Sequence, residues 1–109
     1  MPISLNGFYK ARFSMPDGES GGGVIMLTDG KLCGGNGDLM YLGSYTQNGD
    51  SFTADIVTKR LWLQTSGLIK EDVNIKIVGR GGFQNIMCTG SSPQLPGVEL
   101  KAVLERVPF

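Results

Sequence analysis

The chain has 109 residues, which is the size of one domain, because each half alone would be too small to bury a hydrophobic core. It contains no histidine, which excludes histidine general bases, Ser–His and Cys–His nucleophile pairs and imidazole metal ligands. Ten basic and ten acidic residues give no net charge, and therefore no overall attraction to nucleic acid or to an anionic membrane. We therefore expect a binding protein with no catalytic residues, no metal and no other cofactor.

The N-terminal sequence shows no basic segment followed by an apolar segment, the pattern of a secretion signal. No apolar run approaches the length of a membrane span. These features predict a cytoplasmic soluble protein. In that compartment Cys33 and Cys88 are expected to be two buried thiols, and a single disulfide between them is the alternative.

The first half of the chain predicts five strands joined by tight turns. Short apolar-rich stretches alternate with turn residues, as in antiparallel hairpins. The five predicted strands cover residues 8–14, 22–28, 31–35, 40–47 and 51–58. The second of them, GGVIMLT, is apolar on both faces, whereas the first and the fifth alternate between apolar and polar residues.

Two dipeptides between these strands are strong hairpin signals. Asp29-Gly30 is a residue pair that accepts the two positive φ angles of a type I′ turn, and Asn48-Gly49 is the clearest hairpin turn in the chain. The turn between the first two strands contains Pro16 and Gly18, which supply turn dihedrals. Consecutive hairpins of this kind indicate an antiparallel meander.

The alternation stops at residues 59–72, which are predicted to be the longest connection. This connection contains an apolar cluster, Leu61, Trp62 and Leu63, which would plug a barrel end, cover a cavity or contact another subunit. Three further strands are predicted at residues 73–78, 83–90 and 98–107, with a glycine-rich turn at residues 79–82.

Eight candidate strands without a convincing amphipathic helix predict an all-β fold. Consecutive hairpins favour an eight-stranded antiparallel up-and-down barrel of the lipocalin type, because closure leaves no exposed sheet edge. A two-sheet β-sandwich fits the same pattern and is the alternative. The interior of an eight-stranded barrel is either filled by side chains or wide enough for one small ligand.

Aromatic residues recur on one face of several predicted strands. They are candidates for lining a cavity that takes a small apolar ligand, and a packed core is the other interpretation. These residues are Tyr9, Phe13, Tyr41, Tyr45 and Phe52. Charge is also uneven, because residues 1–55 contain three basic and six acidic residues while residues 56–109 contain seven and four. A barrel is expected to interleave the two halves.

The order and spacing of several segments resemble the GrlR-type proteins, which are negative regulators of type III secretion gene expression. The similar segments are residues 5–13 (LNGFYKARF), 28–35, 41–45 (YLGSY), 48–55 (NGDSFTAD) and 88–104. The resemblance extends over nearly the whole chain. It implies an eight-stranded lipocalin-like barrel that forms a homodimer and sequesters a helix-turn-helix transcription activator.

The resemblance also implies a partner-binding turn. Members of that family contact the activator through alternating acids in the turn before the fifth strand, and the matching turn here contains Gln47, Asn48 and Asp50. Only Asp50 is acidic, and one exposed acid attracts a basic partner weakly. We expect a regulatory or adaptor protein that acts by protein–protein contact and binds neither nucleic acid nor membranes directly. A barrel that binds a small apolar ligand is the alternative function.

Overall fold

Eight antiparallel strands close into one barrel in the computed structural model, which describes residues 4–16, 18, 20–60, 73–81 and 84–108. The strands are β1 (Gly7–Ser14), β2 (Ser20–Thr28), β3 (Lys31–Gly35), β4 (Leu39–Asn48), β5 (Ser51–Arg60), β6 (Val73–Gly81), β7 (Asn85–Ser92) and β8 (Leu95–Arg106). Each strand pairs with its neighbour in sequence, and β1 pairs with β8 to complete the barrel. The predicted up-and-down barrel is confirmed, and the closed sheet excludes the sandwich alternative.

The alternation of the sequence decides which side chains fill the barrel. Along β1, Tyr9 and Ala11 are buried while Lys10 and Arg12 are exposed, because successive side chains of a strand point to opposite faces. The same alternation operates in the other strands. The buried cluster consists of Leu5, Tyr9, Ala11, Ile25, Leu27, Leu32, Tyr41, Tyr45, Phe52, Ala54, Ile56, Ile77, Ile86, Cys88, Ala102 and Leu104.

The two predicted hairpin turns have different geometries. Asp29 and Gly30 both have positive φ angles, 47° and 87°, as a type I′ turn requires. In the second hairpin Asn48 pairs with Ser51, so the two-residue loop is Gly49-Asp50. Of these two residues only Gly49 has a positive φ, 63°, which is the pattern of a type II′ turn. The hairpin predicted at Asn48-Gly49 is therefore confirmed, with its two-residue loop one position later in the chain.

Two predicted connections are shorter than the sequence suggests. β5 continues through Arg60, which pairs with Leu39, so the connection contributes two residues to the sheet. β6 continues through Gly81, although residues 79–82 suggest a turn. Here glycine serves close strand packing, because a Cβ on Gly79 would lie 2.7 Å from both Cys88 Sγ and the Met87 carbonyl oxygen.

The topology defines two ends and opposite walls. Because the strands alternate in direction, the turns at residues 29–30 and 49–50 and the end of β8 lie at one end of the barrel, here called the first end. β3 and β7 are four strands apart in the closed order of eight, so their outer surfaces face opposite directions.

Candidate interaction surface

Apolar side chains cover one outer wall of the barrel. Phe8, Met26, Cys33, Leu42 and Val57 are successive cross-strand partners on β1 to β5. We call these five residues the apolar row. Met26 and Leu42 are each 40% exposed, which is unusual for large apolar side chains, and Cys33 between them is also exposed. Strands tilt by about 35–45° in barrels, so such a row winds along the wall instead of encircling it.

The surroundings enlarge this surface. Val24, which is 41% exposed, lies two residues from Met26 on the same face of β2. A groove of about 580 Å³ begins at Leu42 and Val57 and continues to Lys76 and Pro93. The apolar row itself contains no charged side chain. Contiguous exposed apolar area of this kind marks contact surfaces in soluble proteins.

The five predicted aromatic residues all point into the barrel. Tyr9, Tyr41, Tyr45 and Phe52 belong to the buried cluster, and Phe13 packs against it. Four of the rings form two pairs. Phe13 and Tyr41 pack edge to face, with ring centroids 5.6 Å apart. Tyr45 and Phe52 also have centroids 5.6 Å apart, and their ring planes are tilted by 32°. Burial raises the pKa of Tyr41 above its ordinary value. The rings therefore contribute to the packed core, and their role in lining a cavity stays a prediction.

A hydrogen-bonded network joins the two ends of the chain at the first end of the barrel. Arg106 Nη2 donates to Tyr9 Oη at 2.8 Å, and Tyr9 Oη donates to the Leu5 carbonyl at 2.6 Å. Asn6 Oδ1 accepts from Tyr45 Oη at 2.9 Å, and Asn6 Nδ2 donates to the Asp29 carboxylate at 2.9 Å. This network holds Leu5 in the core, where it is 3% exposed. No local pattern in the sequence predicts this network, because Arg106 and Tyr9 are 97 positions apart in the chain and Tyr45 and Asn6 are 39 positions apart.

The predicted partner-binding residues form the tip of the β4–β5 hairpin. Asn48 and Asp50 are exposed, and Gln47 is half-buried. The Asp50 carboxylate accepts two hydrogen bonds from Arg80 Nη1, at 3.1 and 3.2 Å. The one acid of the tip is therefore paired with a cation of the same chain, which weakens its attraction for a basic partner. The other predicted contact, at Leu61, Trp62 and Leu63, lies outside the described residues.

The two cysteines differ in environment. Both are free thiols, so the disulfide alternative does not apply to this structure. Cys88 points into the barrel, and burial raises the pKa of its thiol to about 11. The expectation that both thiols are buried is wrong for Cys33, because Leu32 occupies the inward position of β3 and turns Cys33 outward.

Ion pairs on the outer surface join the two halves of the chain. Lys10 and Arg12 each lie 3.4 Å from Glu105, and Asp50 lies 3.1 Å from Arg80. The expected interleaving of the acidic and basic halves is wrong, because in the up-and-down order β1 to β5 and β6 to β8 form two contiguous walls, which meet where β5 pairs with β6 and β1 pairs with β8. In the described parts of the chain no three Cys, Asp or Glu side chains are grouped as a metal site would need, and no helix is long and apolar enough to cross a membrane.

Among the described residues, one buried side-chain oxygen has no hydrogen-bond partner. Thr58 is 1% exposed, and its Oγ1 makes no hydrogen bond in the structure. Thr58 lies opposite Tyr41 in the β4–β5 register, near the end of the barrel away from the 49–50 turn. An unpaired buried hydroxyl costs roughly 1–3 kcal/mol, so a molecule that hydrogen-bonds to it would be stabilised there.

Comparison with known proteins gives no family assignment. The chain matches no protein-family model and no curated protein sequence. Its function is therefore inferred from the barrel and from the surfaces described above. The apolar row is the most extensive of these surfaces, since it spans five strands.

Proposed function

We propose that this protein is a non-enzymatic regulatory or adaptor protein that acts by protein–protein contact, as a homodimer joined through the apolar row. The observation that carries the proposal is the uncharged row across β1 to β5, in which Met26, Cys33 and Leu42 are exposed and Phe8 and Val57 are half-buried. Burying such surface is favourable by about 25 cal/mol per Å². A soluble chain gains this free energy by covering the row with another protein surface.

A second copy of the same chain is a compatible partner for the apolar row. A two-fold axis brings the same patch of two protomers together, so a charged patch would repel its own copy. The row has no charge and therefore meets its copy without that repulsion. The neighbouring groove at Leu42 and Val57 provides space for side chains of the second protomer. Dimerisation is also what the resemblance to the GrlR-type proteins implies.

The regulatory role extends this proposal. Following the same resemblance, the partner is a transcription activator that the dimer holds by direct contact in the cytoplasm. The exposed tip formed by Gln47, Asn48 and Asp50 is the candidate contact. Because Arg80 engages the Asp50 carboxylate and the Gln47 amide donates to the Gly49 carbonyl at 3.2 Å, the exposed Asn48 amide would contribute most to this contact. The absence of histidine and the raised pKa of the buried Cys88 thiol support a role without catalysis.

The proposed dimer predicts a specific effect of Leu42→Asp. A carboxylate within the apolar row would be buried without a partner on association, so we expect the dimer dissociation constant to rise about a hundredfold. Light scattering at tens of micromolar would then show a dimer for the wild type and a monomer for the variant.

Val78→Asp is the matched control. Val78 is 54% exposed, more than Leu42, but it lies on β6 outside the apolar row. This variant should therefore remain dimeric. A monomeric wild type, or equal association of the two variants, would contradict the proposal.

The second candidate function is binding of a small apolar ligand inside the barrel. The observation that favours it is the buried Thr58 hydroxyl, which no group of the described residues satisfies. A ligand with an apolar body and one hydrogen-bonding group would fit a hydroxyl next to aromatic rings. Native mass spectrometry of freshly purified protein separates the candidates. A retained small molecule supports the ligand-binding function, and a bare polypeptide counts against it.

A further inference from the structure

The wall opposite the apolar row carries a second group of exposed apolar residues. Val78 is 54% exposed and Met87 is 61% exposed, the highest values among large apolar side chains in the described part of the chain. Met87 pairs with Val103, which is half-buried on the outer face of β8. We call Val78, Met87 and Val103, with the charged residues around them, the β6–β8 wall. Because β7 lies four strands from β3, this wall faces away from the centre of the apolar row.

Cations predominate around these apolar residues. Arg80 is the cross-strand partner of Met87, and Arg12 is the cross-strand partner of Val103. Lys76 and Lys101 lie two residues along the same outer faces, from Val78 and Val103 respectively. Glu105 is the one anion at a directly neighbouring position, and it is already approached by Lys10 and Arg12 at 3.4 Å. The directly neighbouring positions therefore carry an excess of three positive charges. Arg80 and Lys76 also form exposed ion pairs with Asp50 and Asp55, at 3.1 and 3.9 Å, so Lys101 is the cation of this group without an ion pair among the described residues.

We propose that the β6–β8 wall is a docking surface for a segment of another protein in which carboxylates alternate with apolar side chains. Apolar side chains of the segment cover Val78 and Met87, and its carboxylates meet the surrounding Arg and Lys side chains. Methionine and arginine are enriched in protein–protein interfaces. The exposed apolar centre matches a protein segment better than it matches a phosphodiester backbone, which has no apolar groups to cover it.

Val78, Met87, Val103 and Lys101 of this surface lie outside the proposed dimer contact, and Lys76 is the one residue that the surface shares with the groove beside the apolar row. The apolar row and the β6–β8 wall face different directions, so a dimer joined through the row leaves the β6–β8 wall of each protomer accessible. One dimer would then hold two partner segments. A substitution that disrupts the apolar row should leave segment binding intact, and a substitution in the β6–β8 wall should leave the dimer intact.

The test uses a short fluorescein-labelled peptide in which glutamate alternates with leucine, measured by fluorescence anisotropy. We expect Met87→Asp and Lys101→Glu each to weaken peptide binding about tenfold, because both place negative charge against the peptide's carboxylates. Added salt should weaken binding to the wild type. Leu42→Asp should bind the peptide like the wild type even as a monomer. Circular dichroism establishes that each variant is folded.

Three control probes define the outcomes that overturn the proposal. The first replaces glutamate with glutamine, the second is polyglutamate, and the third is a DNA duplex. Weaker binding of all three supports the need for both carboxylates and apolar groups. No binding of the alternating peptide, equal binding by Met87→Asp, or tighter binding of polyglutamate or DNA would overturn it. Loss of binding in Leu42→Asp alone would assign the peptide to the apolar row and would also overturn it.

Discussion

We expect Gly34→Ala to lower the free energy of unfolding by about 3 kcal/mol, because an inward methyl group here overpacks the contact between β2 and β3. An added Cβ would overlap the Val24 carbonyl oxygen and lie 2.8 Å from Ile25 Cα. These are backbone atoms of the neighbouring strand, so a rotamer change cannot relieve the overlap. For a domain of this size each 1 kcal/mol shifts the melting temperature by roughly 4–8 °C, so the expected drop is large.

Gly21→Ala is the control for this substitution. Gly21 lies in β2, has no positive φ, and an added Cβ would meet nothing within 4 Å. We expect its stability to equal or slightly exceed that of the wild type, because alanine reduces the entropy of the unfolded chain. Denaturant unfolding of both variants gives the comparison. Equal losses in the two variants would show that the close approach of β2 and β3 is not what requires glycine at residue 34.

The second large effect is expected at Tyr9. Tyr9 is fully buried, and its removal in Tyr9→Ala should cost about 3–5 kcal/mol, as large aromatic truncations in cores do. Tyr9→Phe keeps the ring but removes the hydroxyl that binds the Leu5 carbonyl and Arg106. Leaving those groups unpaired should cost about 1–3 kcal/mol. Denaturant unfolding measures both losses, and a Tyr9→Phe loss as large as that of Tyr9→Ala would contradict this division between ring and hydroxyl.

The Tyr9 hydroxyl also predicts a pH dependence. Burial raises its pKa above the usual 10.0, although the positive charge of Arg106 opposes this shift. The folded protein therefore holds this proton more tightly than the unfolded chain. Its contribution to stability is complete below pH 10 and declines as the pH rises through the folded pKa. As the pH rises above about 10, the free energy of unfolding of Tyr9→Phe should therefore fall less than that of the wild type. The buried Cys88 thiol, with a pKa of about 11, lowers the free energy of unfolding at high pH in the same way in the wild type and in Tyr9→Phe.

The sequence predicted the fold well because alternation and turn residues are local signals. In β1 the alternation of Tyr9, Lys10 and Ala11 defines the inner face without reference to any other strand. Asp29-Gly30 likewise forms its turn from two adjacent residues. The errors occurred where packing between strands overrides local preference. Gly79 looks like a turn residue, but it lies within β6. Glycine is needed there because the neighbouring strand comes too close for a Cβ.

The contact surfaces were harder to predict from the sequence. One signal was available, since the second strand is apolar on both faces and thus exposes Val24 and Met26. The remaining members of the apolar row come from four other strands, and only the strand register aligns them. The pairing of Asp50 with Arg80 depends on the same register, because thirty residues separate the two in the chain.

The reactivity of Cys33 is the most direct test of the proposal that two copies of this chain associate through the apolar row. Cys33 lies in the middle of the row and is exposed, whereas burial and a pKa of about 11 make the Cys88 thiol slow to react. A chromogenic disulfide reagent therefore reports on Cys33 first. If the dimer forms through the apolar row, association covers Cys33, so its reaction should slow about tenfold as rising protein concentration forms the dimer. The variant Leu42→Asp should remain monomeric and react fast at every concentration. A wild type that is dimeric by light scattering, yet reacts as fast as Leu42→Asp, would contradict the proposal.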